Sequence, residues 1–238
     1  MCFLEPSPKT HLEVSMDISS IDYISFRRVI ERGTAEIIEE GEDFLFLYDS
    51  VSETYMLACD DAEAGKALLD KYEDRGYELI ETTCKEAAEY ACDRFGFDNC
   101  LECWQFAYLG EAPEPEQRLR MRTAELSDLP ALTKVYDQIS EDEMARDIRL
   151  GNVLLAYEGD KLAGFIGEHL EGSIGMLYVF PEFRRKGYAA ALENAEFAKM
   201  IRQGFIPFGQ VITGNTASYN LQKKRGLTEA GKLVYWCW

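Results

Sequence analysis

The residues best suited to chemistry form a basic, glycine-containing loop in front of a predicted helix. They are Arg184, Arg185, Lys186, Gly187, Tyr188, Ala189 and Ala190. The first turn of a helix has backbone N–H groups without intrahelical acceptors, at the positive end of the helix dipole. Glycine lets a ligand approach the backbone closely, and small alanines keep the turn open. The loop therefore predicts a site for an anion such as a pyrophosphate, with a solvated basic helix start as the alternative.

The elements around this loop form a regular series of strands and helices. Apolar spacing predicts strands over 119–124, 153–157, 162–169, 173–180, 208–212 and 233–238. Helices are predicted after Ser127, after Ser140, from Tyr188 to Gly204 and from Asn215 to Lys224. The loop thus follows a strand directly and opens a helix, as a phosphate-binding turn requires.

Two motifs in this half resemble those of the GNAT family of N-acetyltransferases. The segment 184–189 matches the family's Arg/Gln-x-x-Gly-x-Gly/Ala signature, and 215–218 followed by 224–227 is similar to its next motif. The resemblance covers about 119–238 and is closest to the glycine-N-acyltransferase-like branch, whose N-terminal half is a degenerate copy of the fold. It implies an α/β protein of two GNAT-like mixed-sheet halves, with the acetyl-CoA pyrophosphate loop in the C-terminal half.

The resemblance also implies residue roles. The cosubstrate would be acetyl-CoA, with its pyrophosphate on the amides of residues 186–190 and no metal. The strand edge formed by Leu177, Tyr178 and Val179 would pair with the pantetheine arm, and an N–H near Val179 would stabilise the oxyanion. Asn215 would bind the pantetheine arm, although a plain helix cap explains it equally well.

The leaving thiolate lacks an evident proton donor. The family often has a tyrosine seven residues after the motif's asparagine, where this chain has Gln222. Ser218 lies one turn before Gln222 on the same helix face, so either could donate a hydrogen bond to sulfur. Tyr219 is a weaker candidate because it points roughly 60° away. A thiolate can also leave unassisted, since its pKa is about 8.5.

Candidates for the base that deprotonates the amine lie at the end of the 162–169 strand. Glu168 and Glu171 could accept a proton directly or through water, and His169 has the more convenient intrinsic pKa. Strand alternation places Glu168 and His169 on opposite faces. The alternative is that Glu171 belongs to a plain hairpin turn and His169 to the surface.

Charge divides the 238-residue chain into two parts. The net charge is −18, and residues 1–116 hold 28 of the 43 acidic but only 9 of the 25 basic side chains. A Pro- and Glu-rich segment marks the boundary, so we expect an N-terminal domain over 1–110, a linker over 111–118 and an acetyltransferase domain over 119–238. The acidity disfavours nucleic acid as a partner. Its runs, 36–43 and 60–63, are either solvated faces or attract a cationic amine.

The composition predicts a globular, cytoplasmic protein. There is no apolar run of eighteen residues, and the first residues lack the basic patch and apolar core of a signal peptide, so we expect no membrane partner. In the first half we predict helices over 18–32, 60–75 and 84–95, and strands over 44–48, 54–58, 77–80 and 103–109. Cys84, Cys92, Cys100 and Cys103 could form a zinc site or a redox pair, but small buried thiols are the usual explanation.

Two functions follow from these observations. The first is an acetyl-CoA-dependent N-acyltransferase that moves an acetyl group to a primary amine of a small molecule or peptide, by direct attack in a ternary complex. The second is a non-catalytic acyl-CoA-binding or protein-interaction module on the same fold, favoured by Gln222.

Overall fold

The structure is a computed structural model that describes residues 14–114 and 119–238. Its helices are α1 (Ile24–Arg32), α2 (Ala62–Lys71), α3 (Lys85–Phe95), α4 (Leu129–Thr133), α5 (Glu141–Leu150), α6 (Tyr188–Arg202) and α7 (Thr216–Lys224). Its strands are β1 (Ala35–Glu40), β2 (Phe44–Asp49), β3 (Thr54–Cys59), β4 (Ile80–Thr82), β5 (Cys100–Ala107), β6 (Arg120–Thr123), β7 (Val153–Glu158), β8 (Lys161–Glu168), β9 (Ile174–Val179), β10 (Phe208–Ile212), β11 (Thr228–Glu229) and β12 (Val234–Cys237). No helix in these described ranges is long and apolar enough to cross a membrane.

The chain forms two compact units, and the first contains the described residues up to Glu102 together with Lys232–Trp238. Its strands pair in the order β1-β2-β3-β4-β12. All these pairs are antiparallel except β3 with β4, which is parallel. Alternation along β2 separates two cores: Leu45 and Leu47 pack with Phe26 of α1, while Phe46 packs with residues of α2 and α3.

The structure adds to one prediction for this unit and corrects another. The first part of the acidic run 36–43 forms β1, whose glutamates are exposed or half-buried while Ile37 packs against the core beside α1. The strand predicted over 77–80 begins only at Ile80. Tyr77 instead makes edge-to-face contacts with Tyr55 and Phe95, with ring centroids 4.8 and 5.0 Å away, so an aromatic cluster explains its apolar character.

The second unit comprises Cys103–Gly231 and contains the antiparallel sheet β6-β7-β8-β9. Leu155 and Phe165 face Met144 of α5 on one side of this sheet. Ala163 and Ile166 face Leu192 of α6 on the other side. Residues of β5 from Cys103 onward pair with β10 and β11. The predicted hairpin between β7 and β8 is confirmed, since Tyr157 pairs with Leu162 and Glu158 with Lys161.

The compact units divide the chain differently from the predicted domain bounds. The change of unit falls inside β5, because its residues from Cys103 pair with β10 and β11. The C-terminal strand β12 belongs to the first unit, because it pairs with β4. Of the predicted linker, residues 111–114 have no regular secondary structure, and 115–118 lie outside the described residues. The division into an N-terminal domain over 1–110 and an acetyltransferase domain over 119–238 therefore stays a prediction.

Candidate active site

The basic loop turns sharply into α6. Arg185 has φ +60° and Gly187 φ +84°, so two residues within three are left-handed. For the arginine this conformation costs about 1–2 kcal/mol. Gly187 is the N-cap of α6 and no side chain caps this end. The first turn of α6, from Tyr188 to Ala190, therefore presents its amides to the loop, as an anion site requires.

The cationic side chains of the loop are exposed, and two of them have internal partners. Arg184 Nε donates to the carbonyl of Val179 at 2.9 Å. Lys186 Nζ lies 3.5 Å from Glu158 Oε2, and the Tyr188 hydroxyl donates to the same carboxylate. These bonds anchor the loop to the ends of β9 and β7 and leave its positive charge at the surface.

A bulge shapes β9, the edge strand of its sheet. Phe165 pairs with Tyr178 and Gly167 with Gly175, so Met176 and Leu177 both lie opposite Ile166. Met176 has φ +52°, which is typical of such a bulge. No cue for it exists in the sequence, because methionine rarely adopts this conformation.

The backbone of Val179 points away from β8. The Phe180 N–H donates to the Ala163 carbonyl oxygen at 3.0 Å, so Phe180 and Ala163 form a hydrogen-bonded pair. Val179 and Gly164 form the neighbouring pair in the ladder. Hydrogen-bonded and non-hydrogen-bonded pairs alternate in an antiparallel ladder, so the N–H and C=O of Val179 face the open edge. The Arg184 bond to this carbonyl agrees with that direction. An extended ligand could thus pair with the edge predicted at residues 177–179.

A small cavity of about 30 Å³ lies between β9, α6, β10 and α7. Ile174, Gly209 and Gln222 are among its lining residues. Gly209 allows the two strands to approach, since a Cβ there would lie 2.8 Å from the Ile174 carbonyl oxygen. Among the described strands β9 forms a ladder only with β8, so β9 and β10 approach each other here without pairing.

Gln222 belongs to a half-buried polar network at this cavity, centred on the buried Glu193. Its Nε2 donates to Glu193 Oε1 at 3.1 Å, and Arg225 Nε donates to Glu193 Oε2 at 2.9 Å. Burial raises the pKa of Glu193, whereas the bonds from Gln222 and Arg225 lower it. An amide nitrogen has two N–H groups, and the bond to Glu193 uses one of them.

The other residues of the α7 motif have mainly structural contacts. Asn215 caps α7, accepting from the Ser218 N–H at 3.1 Å, as the plain interpretation predicted. Ser218 is half-buried in the first turn. Tyr219 donates to Glu229 at 2.8 Å and its ring packs on Trp104, 4.7 Å between centroids.

The base candidates lie near different helices. Glu168 is buried and its Oε1 is 2.8 Å from Lys199 Nζ on α6, which also lies 2.7 Å from Glu196. Glu171 is buried as well and accepts a hydrogen bond from the Ser173 hydroxyl. It contributes electrostatically to carboxylates of α5, the helix on the other face. His169 packs its ring against Gly175, where an added Cβ would meet it.

Two carboxylates of α5 complete this region and were not among the predicted residues. Asp147 is fully buried, with Oδ1 accepting from Asn152 at 3.1 Å and Oδ2 without a hydrogen-bond partner. Burial, with a smaller contribution from the charges of Glu143 and Glu171, raises its pKa to about 7. Burial also raises the pKa of Glu143, while His169 lowers it. An aspartate in a helical segment is usually predicted to be solvent-exposed, so no local feature of the sequence indicated that Asp147 is buried.

Comparison with known proteins agrees with this geometry. Residues 118–227 match the model of the Acetyltransferase (GNAT) family. A Drosophila protein structure is similar at 15% identity and TM-score 0.60, covering 91% of this chain and 87% of that chain. A GCN5-related N-acetyltransferase from Kribbella flavida is similar at 11% identity and TM-score 0.54, covering 91% and 93%. A GCN5-related N-acetyltransferase-like protein from Streptococcus suis is similar at 11% identity and TM-score 0.52, covering 89% of this chain and 92% of that chain. No curated protein matches the sequence.

These matches show the fold of the chain. The predicted fold class, mixed α/β with two GNAT-like halves, is confirmed. The family match over the second half contains the basic loop, the bulged edge strand and the α7 motif. Together the match and the fold support an acyl-transfer function.

Proposed function

We propose that the protein is an acetyl-CoA-dependent N-acyltransferase that acetylates a primary amine of a small molecule or peptide. The observation that carries the proposal is the uncapped start of α6 behind the left-handed turn at Arg185 and Gly187. The pyrophosphate would bind the amides of residues 186–190, with Arg184, Arg185 and Lys186 adding positive charge. The pantetheine arm would pair with the β9 edge at Leu177, Tyr178 and Val179, displacing Arg184 from the Val179 carbonyl.

The reaction needs few protein groups. The amine nitrogen attacks the thioester carbonyl carbon, a C–N bond forms, and the C–S bond breaks as the thiolate leaves. The Val179 N–H at the open edge would stabilise the oxyanion formed on the way. The amine's proton passes to a carboxylate, and the thiolate accepts a hydrogen bond or leaves as the anion.

We propose Glu171 as this base ahead of Glu168. A proton on Glu168 would weaken its 2.8 Å ion pair with Lys199, and a cationic partner lowers the basicity of a carboxylate. Glu171 accepts a hydrogen bond from the neutral Ser173 hydroxyl and lies among the α5 carboxylates. The second N–H of Gln222, with the Ser218 hydroxyl, would donate to sulfur.

The same carboxylates favour a cationic acceptor. Glu143, Asp147 and Glu171 interact electrostatically in one region of the second unit. A protonated amine would be attracted to this negative potential and would lose its first proton to Glu171 before attack. The second proton, released as the C–N bond forms, would pass to the leaving thiolate or to water. This preference predicts faster acetylation of polyamines or basic peptides than of anionic amines, decreasing with ionic strength. The net charge of −18 supports neither a nucleic acid nor an anionic membrane as partner.

The first unit would be the degenerate half of the glycine-N-acyltransferase-like arrangement and would hold no cofactor. Its strand β3 pairs along its parallel neighbour β4, so the edge that is open at β9 is closed here. Its following helix, α2, is capped by the Asp61 carboxylate, which accepts from Ala64 N at 2.7 Å. A carboxylate in that position satisfies the amide and repels phosphate.

The second candidate is a non-catalytic acyl-CoA-binding module. It is favoured by the partners of two of the three possible thiolate donors, since Tyr219 donates to Glu229 and Gln222 to Glu193. One experiment separates the two functions: titration with acetyl-CoA, followed by release of free thiol over a panel of cationic, neutral and anionic amines. Binding with turnover supports the enzyme, and binding without turnover on any amine supports the module.

The base is tested on the same assay. Glu171→Gln should lower kcat by at least about 100-fold, the usual contribution of general base catalysis. Glu168→Gln should leave kcat within a few-fold while lowering stability, because Lys199 loses a partner. Full activity of Glu171→Gln would contradict the assignment.

A further inference from the structure

Three cysteines of the first unit converge although they are far apart in sequence. Cys92 lies near the end of α3, Cys100 at the start of β5 and Cys237 in β12. Their sulfur atoms all lie within 4.8 Å of one another. Cys237 Sγ is 3.8 Å from Cys100 Sγ. The sequence-based zinc hypothesis did not include Cys237, since only the pairing of the last strand brings it here.

The backbone holds two of these thiols in register. Asn99 and Trp238 exchange both N–H···O bonds, at 3.0 and 3.2 Å, so they form a hydrogen-bonded antiparallel pair. The next pair along the ladder, Cys100 and Cys237, is therefore a close non-hydrogen-bonded pair with side chains on one face. Cys92 reaches this face from α3, with its Sγ 3.8 Å from the Asn99 carbonyl oxygen.

We propose that Cys92, Cys100 and Cys237 bind a Zn²⁺ ion. Zinc binds thiolate at about 2.3 Å, and tetrahedral geometry then separates the sulfur ligands by about 3.8 Å. That is the distance between Cys100 and Cys237, and the third sulfur lies within 1 Å of the same spacing. Three thiolates leave the fourth position to water.

Access and protonation are consistent with reversible metal binding. Cys100 is exposed, Cys92 is half-buried and Cys237 is fully buried, so the cluster opens to solvent on one side. A cysteine must lose its thiol proton to bind zinc as a thiolate. Binding must then release protons, and affinity should rise steeply with pH.

Cobalt substitution in the full chain tests the site. Reduced, metal-free protein is titrated with Co²⁺ and then with Zn²⁺ against a chromophoric chelator. We expect one Co²⁺ per chain, a thiolate-to-cobalt charge-transfer band in the near ultraviolet, visible bands of tetrahedral intensity and displacement by Zn²⁺. Cys100→Ser changes an exposed residue and should weaken Zn²⁺ binding at least about 100-fold, as loss of a ligand costs more than loss of an outer-shell partner.

Cys84→Ser is the matched control. Cys84 is a buried thiol of the same unit outside the cluster, and it is the N-cap of α3, where serine is preferred. It should bind Co²⁺ and Zn²⁺ as the parent protein does. Cys237→Ala, with thermal unfolding followed in parallel, should abolish the charge-transfer band.

Three results would overturn the proposal. One is the absence of the thiolate-to-cobalt charge-transfer band when the reduced parent protein is titrated with Co²⁺. Another is equal Zn²⁺ affinity in the parent protein and Cys100→Ser. The third is a protein whose non-reduced mass shows a Cys100–Cys237 disulfide and which binds no Zn²⁺ after reduction.

Discussion

Replacing Asp147 by asparagine should stabilise the protein, and the gain should grow with pH. Asp147 is fully buried and its pKa is raised from 3.8 to about 7, chiefly by burial. Below pH 3.8 the carboxyl is protonated in the folded and unfolded states alike, so it carries no penalty. As pH rises toward 7 only the unfolded state ionises, and stability is lost until the folded-state pKa is passed.

The magnitude follows from the size of that shift. About three pKa units at about 1.4 kcal/mol each correspond to about 4 kcal/mol above pH 7, and to about 2 kcal/mol at pH 5. Asparagine is neutral and can still accept the bond from Asn152, which now goes to Asp147 Oδ1 at 3.1 Å. Asp147→Asn should therefore be more stable than the parent protein at pH 8.5. This gain in the free energy of unfolding should be about 2 kcal/mol larger at pH 8.5 than at pH 5.

The assay is urea unfolding of both proteins at pH 5 and 8.5, followed by fluorescence and circular dichroism. Asp137→Asn is the control, because it makes the same exchange at an exposed position before α5. The comparison separates the effect of the buried position from that of removing one carboxylate charge. A gain for Asp147→Asn that is equal at both pH values, or a loss at pH 8.5, would refute the reasoning.

The remaining predictions concern the polar groups around α6 and α7. Lys199→Met should destabilise the protein by about 3–5 kcal/mol in thermal or urea unfolding at pH 8, because it leaves two buried carboxylates without their cation. The loss should shrink as pH falls below about 7, where Glu196 becomes protonated; a loss independent of pH would contradict this. Tyr219→Phe should leave kcat unchanged in the thiol-release assay, since the hydroxyl is bonded to Glu229. Gln222→Ala should lower kcat. If Tyr219→Phe lowered kcat and Gln222→Ala did not, Gln222 would be excluded as the donor of a hydrogen bond to the leaving sulfur.

The parts of the site with local signals could be predicted from sequence. Gly187 before an apolar helical stripe and Asn215 before α7 are short-range cues, and the structure has a helix N-terminus at both. The parts that depend on tertiary pairing could not. The bulge at Met176 has no residue cue, and Cys237 meets Cys100 only because β12 returns to the first unit. The strand β1 was not predicted because its three glutamates made the segment look like a solvated acidic run. Its apolar residues supply the side of the strand that faces the core.

The central claim, that the start of α6 binds the pyrophosphate of acetyl-CoA, is tested most directly by calorimetric titration of three proteins. These are the parent protein, Ala190→Glu and Ala190→Gln. Ala190 is the third residue of α6, where a glutamate stabilises a helix but places negative charge at the anion site. We predict that Ala190→Glu binds acetyl-CoA at least about tenfold more weakly than Ala190→Gln, about 1.4 kcal/mol, with an unchanged or higher Tm. Equal binding by the two variants, or no binding by the parent protein, would contradict the claim.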